Sequence, residues 1–162
     1  MLISAGSNLC DRRTYLAEGL HALTAAGLSD VACASVYETP PWGFEADTPF
    51  YNTCFSGYTA LSPTAFIRLL KETEERAGRV RAAGGYVSRT LDLDIILWDR
   101  LIITAADLRI PHPRAHLRRF VLEPAAEIAP GWVHPVWNMD LLTLLGQCTD
   151  ASELKKTGPP LV

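Results

Sequence analysis

No run of apolar residues approaches the length of a membrane span, and no charged segment precedes a signal-type apolar core at the N-terminus. Both absences point to a cytoplasmic protein. Cysteine is sparse, with residues only at positions 10, 33, 54 and 148, and it forms neither a Cys-x-x-Cys pair nor a zinc spacing. That argues against a disulfide scaffold and leaves reduced, buried or half-buried thiols. Excess positive charge is missing as well: the net charge of −3 excludes a general nucleic-acid surface. The chain also lacks a G-x-x-x-x-G-K-[ST] phosphate loop and a G-x-G-x-x-G dinucleotide fingerprint.

What is present is an ordinary globular composition, 162 residues with 48% apolar and 20% charged, enough for one domain over residues 1–162 with a real core. Leu2 to Ala5 reads as a short strand stopped by the turn chemistry of Gly6-Ser7-Asn8. Asp11 caps a helix from Arg12 to about Ala26, where Leu16, Leu20 and Leu23 recur at helical spacing and Gly27 supplies the stop. Val31 to Thr39 alternates as a strand ending at Pro40-Pro41-Trp42-Gly43, and Phe50 to Ala60 is strand-like again. The connection between them is longer than an ordinary hairpin loop and is a candidate for function. Ser62-Pro63 starts a second helix with Phe66, Leu69, Leu70, Thr73 and Ala77 on one stripe, ending at Gly78.

The next strand carries the chemistry. In Arg89-Thr90-Leu91-Asp92-Leu93-Asp94-Ile95-Ile96-Leu97-Trp98, alternation turns Asp92 and Asp94 to one face, about 6.5 Å apart along the strand. Leu91, Leu93, Ile95 and Leu97 turn to the other. A strand that begins half polar and ends apolar on both faces belongs at the centre of a sheet, with its first residues at a cleft mouth. Paired carboxylates suit Mg²⁺, which takes one or two of them together with substrate phosphates. Alone, Asp-x-Asp more often describes a solvated strand end. The neighbours favour phosphate, because Arg79, Arg81 and Arg89 flank Gly84-Gly85 and each guanidinium can fork onto a phosphate.

Strand, helix, strand, strand, helix, strand is the order of an α+β, ferredoxin-like β-α-β-β-α-β fold, an antiparallel sheet with helices on one face. C-terminal helical additions follow at Phe120 to Ile128 and Asp140 to Gln147, while Pro111-His112-Pro113 and Pro159-Pro160 read as irregular. His112 and His116 are spaced like a zinc pair, but Pro113 argues against the single helical face that such a pair needs.

Seven blocks in order give the chain a specific resemblance: Ala5-Gly6-Ser7-Asn8-Leu9, Ser35-Val36-Tyr37-Glu38-Thr39-Pro40-Pro41, Phe50-Tyr51-Asn52, Gly78-Arg79-Val80-Arg81, Arg89 to Asp94, Ile110-Pro111-His112-Pro113 and Phe120-Val121-Leu122. It resembles the 6-hydroxymethyl-7,8-dihydropterin pyrophosphokinases of folate biosynthesis. The resemblance implies transfer of the β,γ-pyrophosphoryl group of ATP to the pterin hydroxymethyl oxygen, releasing AMP. It implies two Mg²⁺ ions held by Asp92 and Asp94, with Arg79, Arg81 and Arg89 neutralising the migrating phosphates under a closing loop. It also implies a pterin sandwiched by Phe50 and Phe120, read by Asn52, and bordered by Thr39, Pro40, Trp42 and Asp92. Around ATP it implies Lys71, Glu74, Arg89, His112 and Arg118. The partners are small molecules for a monomeric enzyme, with association with other folate-pathway enzymes a further expectation. Ala82 and Gly85 make the loop less basic than is usual in the family, and Tyr86 stands where the family often has Trp.

Each residue has a plainer reading: a phenylalanine in the core, Lys71 and Glu74 on a solvated helix face. The alternative function is a catalytically silent pterin- or nucleotide-binding module. RNA binding, common on this fold, is disfavoured by the acidic charge and the lack of a basic-aromatic sheet motif.

Overall fold

The structure is a computed structural model, describing residues 1–43, 45–79 and 87–161. Its elements in order are β1 (Leu2–Ser7), α1 (Arg12–Ala25), β2 (Ser29–Cys33), β3 (Val36–Thr39), β4 (Phe50–Tyr58), α2 (Pro63–Arg76), β5 (Asp92–Leu97), β6 (Ile103–Thr104), β7 (Arg109–Ile110), α3 (Arg119–Ile128), β8 (Val133–His134), β9 (Met139–Asp140), α4 (Leu141–Gln147) and β10 (Lys155–Gly158). The main sheet runs β10-β3-β4-β1-β5 with β2 also on β4, and its pairings are antiparallel. Without β10 this is the ferredoxin-like order.

The helix starts are set by the caps that the sequence announces. Asp11 accepts from the Thr14 backbone N–H at 3.1 Å, and Ser62 accepts from that of Ala65 at 3.2 Å with Pro63 at the first helical position. Gly78, at φ +78°, ends α2 in a conformation that only glycine adopts without strain.

Each face of the sheet has its own apolar cluster. Ile3, Ala5, Phe55, Leu93 and Ile95 meet Leu16, Leu20 and Leu23 of α1 and Phe66 and Leu70 of α2. Leu2, Cys54, Ile96 and Leu97 meet Val121, Leu122 and Ala125 of α3 and Leu141 and Leu144 of α4. The C-terminal additions therefore cover the second face, which the sequence left unassigned.

Local readings need correction in several places. The strand from Val31 to Thr39 is two strands, β2 and β3. At the break Ala34 and Ser35 turn to other partners: the Ala34 carbonyl accepts from the Thr53 hydroxyl at 2.9 Å, and Ser35 bonds Glu127. Leu97 does not share a face with Leu93 and Ile95. The register slips between Ile3↔Ile95 and Leu2↔Leu97, which turns Leu97 to the side of Ile96. The segment Lys155–Gly158, to which the sequence assigned no element, forms the edge strand β10. Cys33 and Cys54 are buried and Cys148 half-buried, but Cys10 is exposed, on the positive-φ turn before α1.

Candidate active site

The cleft is a consequence of register. Asp92 and Asp94 open β5 opposite Gly6 and Ser4 of β1, and Gly6 in turn stands opposite Asn52 of β4. Alternation sends all five toward the α3 side, at strand ends that α3 leaves uncovered. A cleft of about 300 Å³ results, lined also by Thr39, Pro40, Trp42, Phe50, Arg79, Arg89, His112, Arg114, Arg118 and Phe120.

Charge is concentrated on the β5 wall. Asp92 bonds Arg79 through one oxygen and lies 3.0 Å from Arg89 through the other. Arg79 also bonds Glu74, which is only 3% exposed and whose same oxygen accepts from the Leu93 backbone N–H at 2.8 Å. Burial works against the Arg79 charge, but Asp92 and Glu74 overrule it and hold the guanidinium protonated. Asp94 has less help. Enclosure in the cleft and the neighbouring Asp92 charge push its carboxyl up to about 7, although its side chain remains 42% open to the cleft. His112 Nε2 stands 3.9 Å from Asp94. Burial and the charges of Arg118 and Arg114 pull the imidazole down to about 4, so it is neutral at physiological pH.

The other wall is a slot with flat sides. Trp42 and Phe120 meet edge to face at 6.4 Å, with the Arg118 guanidinium 4.7 Å from the Trp42 ring centre and 5.6 Å from that of Phe120. Phe50 lies across the sheet surface with Arg89 5.5 Å above its ring. Asn52 donates to the Thr39 hydroxyl at 2.7 Å. Its oxygen sits so close to Gly6 that a Cβ there would come within 2.7 Å, so glycine is what lets the amide lie flat on the sheet.

Of the residues singled out in the sequence, Thr39, Pro40, Trp42, Phe50, Asn52, Arg79, Arg89, Asp92, Asp94, His112, Arg118 and Phe120 line this one cleft. Glu74 lies behind the wall, against Arg79, and neither it nor Lys71 is on the lining. Arg81, Gly84, Gly85 and the middle of the expected closing loop, which runs from Arg79 to Arg89, fall in 80–86, outside the described residues. His116 packs against Trp137 at 5.0 Å, away from His112.

Two participants escaped sequence reading. Arg114 lines the cleft, although only its neighbours in the Pro111-His112-Pro113 block drew attention. Asn8, fully buried, was read as part of a turn. Its side chain accepts from the Arg89 backbone N–H at 2.7 Å and donates to Ser88 at 2.9 Å, while its own backbone N–H donates to the Arg89 carbonyl at 3.0 Å. These bonds fix the residue from which the Arg89 guanidinium reaches Asp92. A buried-looking Asn after a strand was the available signal.

Among the described residues no three His, Cys, Asp or Glu side chains gather as a metal cluster. The donor set is two carboxylates on one face. That fits Mg²⁺, whose remaining positions are taken by water and substrate phosphates, and does not fit a structural zinc.

Comparison with known proteins gives a consistent result. Residues 2–130 match the family model described as 7,8-dihydro-6-hydroxymethylpterin-pyrophosphokinase (HPPK). The chain is similar to the 2-amino-4-hydroxy-6-hydroxymethyldihydropteridine pyrophosphokinase of Bacillus subtilis, 40% identical over 129 residues, 78% of this chain and 75% of that protein. It is 34% identical to the Porphyromonas gingivalis protein of the same name over 82% of this chain and 92% of that one. The folic acid synthesis protein fol1 of Pneumocystis carinii is 32% identical over 91% of this chain, which spans only 20% of it. In fold the chain is similar to Plasmodium falciparum HPPK-DHPS in its crystal structure with STZ-DHP, with a TM-score of 0.70 at 14% identity over 90% of this chain and 42% of that one.

Proposed function

Because the chain belongs to the 7,8-dihydro-6-hydroxymethylpterin-pyrophosphokinase family, we propose that its cleft transfers the β,γ-pyrophosphoryl group of ATP to the hydroxymethyl oxygen of 6-hydroxymethyl-7,8-dihydropterin. An O–Pβ bond forms, the bond from Pβ to the oxygen of the α-phosphate breaks, AMP leaves and the hydroxyl proton passes to solvent. The observation that carries the reading is the joining, in one cleft, of an Asp92–Asp94 pair and several arginines with a slot of aromatic rings and a buried amide.

Such a transfer is accelerated chiefly by positioning and by neutralising phosphate charge. Asp92 and Asp94 would hold Mg²⁺, two ions on the family's pattern, which when bound neutralise and align the phosphate oxygens. Arg79 and Arg89, and Arg81 from the neighbouring loop, meet the migrating pyrophosphoryl group. The nucleotide is assigned to neutral His112 and to Arg118, which also borders the aromatic slot, and to Lys71 of α2, outside the cleft lining, while Glu74 acts by holding Arg79. Phe50 and Phe120 take the two faces of the pterin. Asn52 reads its amide-like edge with Thr39, Pro40 and Trp42 around it, because a flat ring with donors and acceptors on one edge completes both the stacking and the amide.

We take residues 1–162 as one such unit, working as a cytoplasmic monomer. The hyphenated HPPK-DHPS name of the Plasmodium relative supports association with other folate-pathway enzymes. Incubation with ATP, Mg²⁺ and the pterin alcohol tests the reading: AMP is the expected nucleotide product, and ADP overturns it.

A further inference from the structure

The cleft has two walls that must stay a ring's thickness apart, and only one of them belongs to the sheet. Phe120 and Arg118 come from α3 and the residue before it, whereas Thr39 ends β3. Phe120, Glu123 and Glu127 lie on one stripe of α3, Phe120 and Glu127 about 10.5 Å apart along the axis. On β3 and the residue before it, Ser35, Tyr37 and Thr39 share one face. The two rows are joined at their far end by one carboxylate. Glu127 accepts from the Ser35 hydroxyl at 2.7 Å, the Ser35 backbone N–H at 3.2 Å, the Tyr37 hydroxyl at 2.8 Å and Lys156 of β10 at 3.2 Å. Burial pushes its carboxyl up, but these bonds prevail and hold it below the usual range, so the clamp is charged at physiological pH. Tyr37 and Ser35 are themselves buried.

We propose that Glu127 is a positioning residue for the pterin: its carboxylate, bridging α3 to Ser35, Tyr37 and Lys156, sets the gap that the ring must enter between Phe120 and the sheet wall, where Thr39 stands opposite Phe50 of β4. The inference rests on the pterin reading of the slot. It also gives β10, which lies beyond the matched residues 2–130, a part in substrate recognition. Asp92, Asp94 and His112 are not among the partners of Glu127, and of the residues assigned to ATP Arg118 is the one beside Phe120.

The test is the split between the two Michaelis constants. Glu127→Ala is expected to raise the pterin KM about tenfold and leave the ATP KM within about twofold, and Glu127→Gln, which keeps an acceptor oxygen, to recover most of the loss. Equal changes in both constants, or no change in the pterin constant, would overturn the proposal. If Glu127→Ala does not fold, Tyr37→Phe removes one bond from the opposite side and is expected to raise the pterin KM about threefold; an unmoved value sinks the idea. Wild-type protein that forms no AMP fails the function and this inference together. Normal wild-type turnover with an unmoved pterin KM in the variants fails this inference alone.

Discussion

The two faces of the central sheet are built from the same strands and behave differently. Toward α1 and α2, the residues of β1 and β5 are apolar almost from end to end: Ile3 and Ala5, Leu93 and Ile95. Toward α3 and α4 the same strands change character along their length. Leu2, Cys54 and Ile96 pack under the helices, while Gly6, Ser4, Asn52, Asp92 and Asp94 stand beyond them in the cleft. One face is spent on stability. The other is divided between stability and chemistry, and the division falls within individual strands, so a residue and its sequence neighbour can serve opposite ends.

Leu93 and Asp94 are the sharpest such pair. Asp94→Ala is expected to lower turnover about 10³-fold or more while the circular dichroism spectrum and melting temperature stay near wild type. Leu93→Ala, removing a side chain that is 3% exposed, is expected to cost about 2–5 kcal/mol of stability. The fraction that stays folded should turn over normally. Near wild-type activity of Asp94→Ala at saturating Mg²⁺, or a fully stable Leu93→Ala, would break the comparison.

Gly6→Ala sharpens it on β1, where one methyl group meets the Asn52 amide oxygen. Pterin affinity is expected to fall about tenfold, more than ATP affinity, in titration calorimetry; an unaffected pterin affinity would mean that Asn52 does not need its place against the strand. Phe120→Ala and Phe50→Ala are each expected to weaken pterin binding by about 1 kcal/mol or more with little effect on ATP. Equal losses for both ligands would point to collapse of the cleft rather than loss of a stacking surface.

The smallest effect is one of pH. Because Glu127 is held below its ordinary value of 4.5 in the fold, its bonds contribute stability that is fully present above that value and is lost as pH falls through the lower, folded one. Glu127→Gln should therefore flatten the acid side of the melting-temperature curve and leave its shape near neutrality unchanged. A parallel loss at every pH would assign Glu127 a packing role instead.

What the sequence disclosed depended on how local the cause was. The caps Asp11 and Ser62, the stop at Gly78 and the alternation of β5 as far as Ile95 are set within a few residues, and each is found where expected; the turn of Leu97 to the other face comes from the slip against β1. The break at Ala34–Ser35 was invisible because the groups that cause it, Thr53 and Glu127, are distant in the chain. The edge strand β10 is polar and exposed, and only its pairing with β3, more than a hundred residues earlier, makes it a strand. That Asp92, Asp94, Arg79 and Arg89 belong to one site was legible from spacing. Phe50, Asn52 and Phe120 were legible only through the resemblance, since a buried phenylalanine carries no sign of what it faces. Asn8 and Arg114 were missed because their roles lie in contacts across the fold.

The mass of the pterin product tests the central claim, that the polar half of the second face performs pyrophosphoryl transfer, most directly. With ATP and Mg²⁺ the wild-type protein should convert the pterin alcohol to its diphosphate, and folded Asp94→Ala should form almost none. A pterin monophosphate from the wild type, or equal diphosphate from the folded variant, would contradict it.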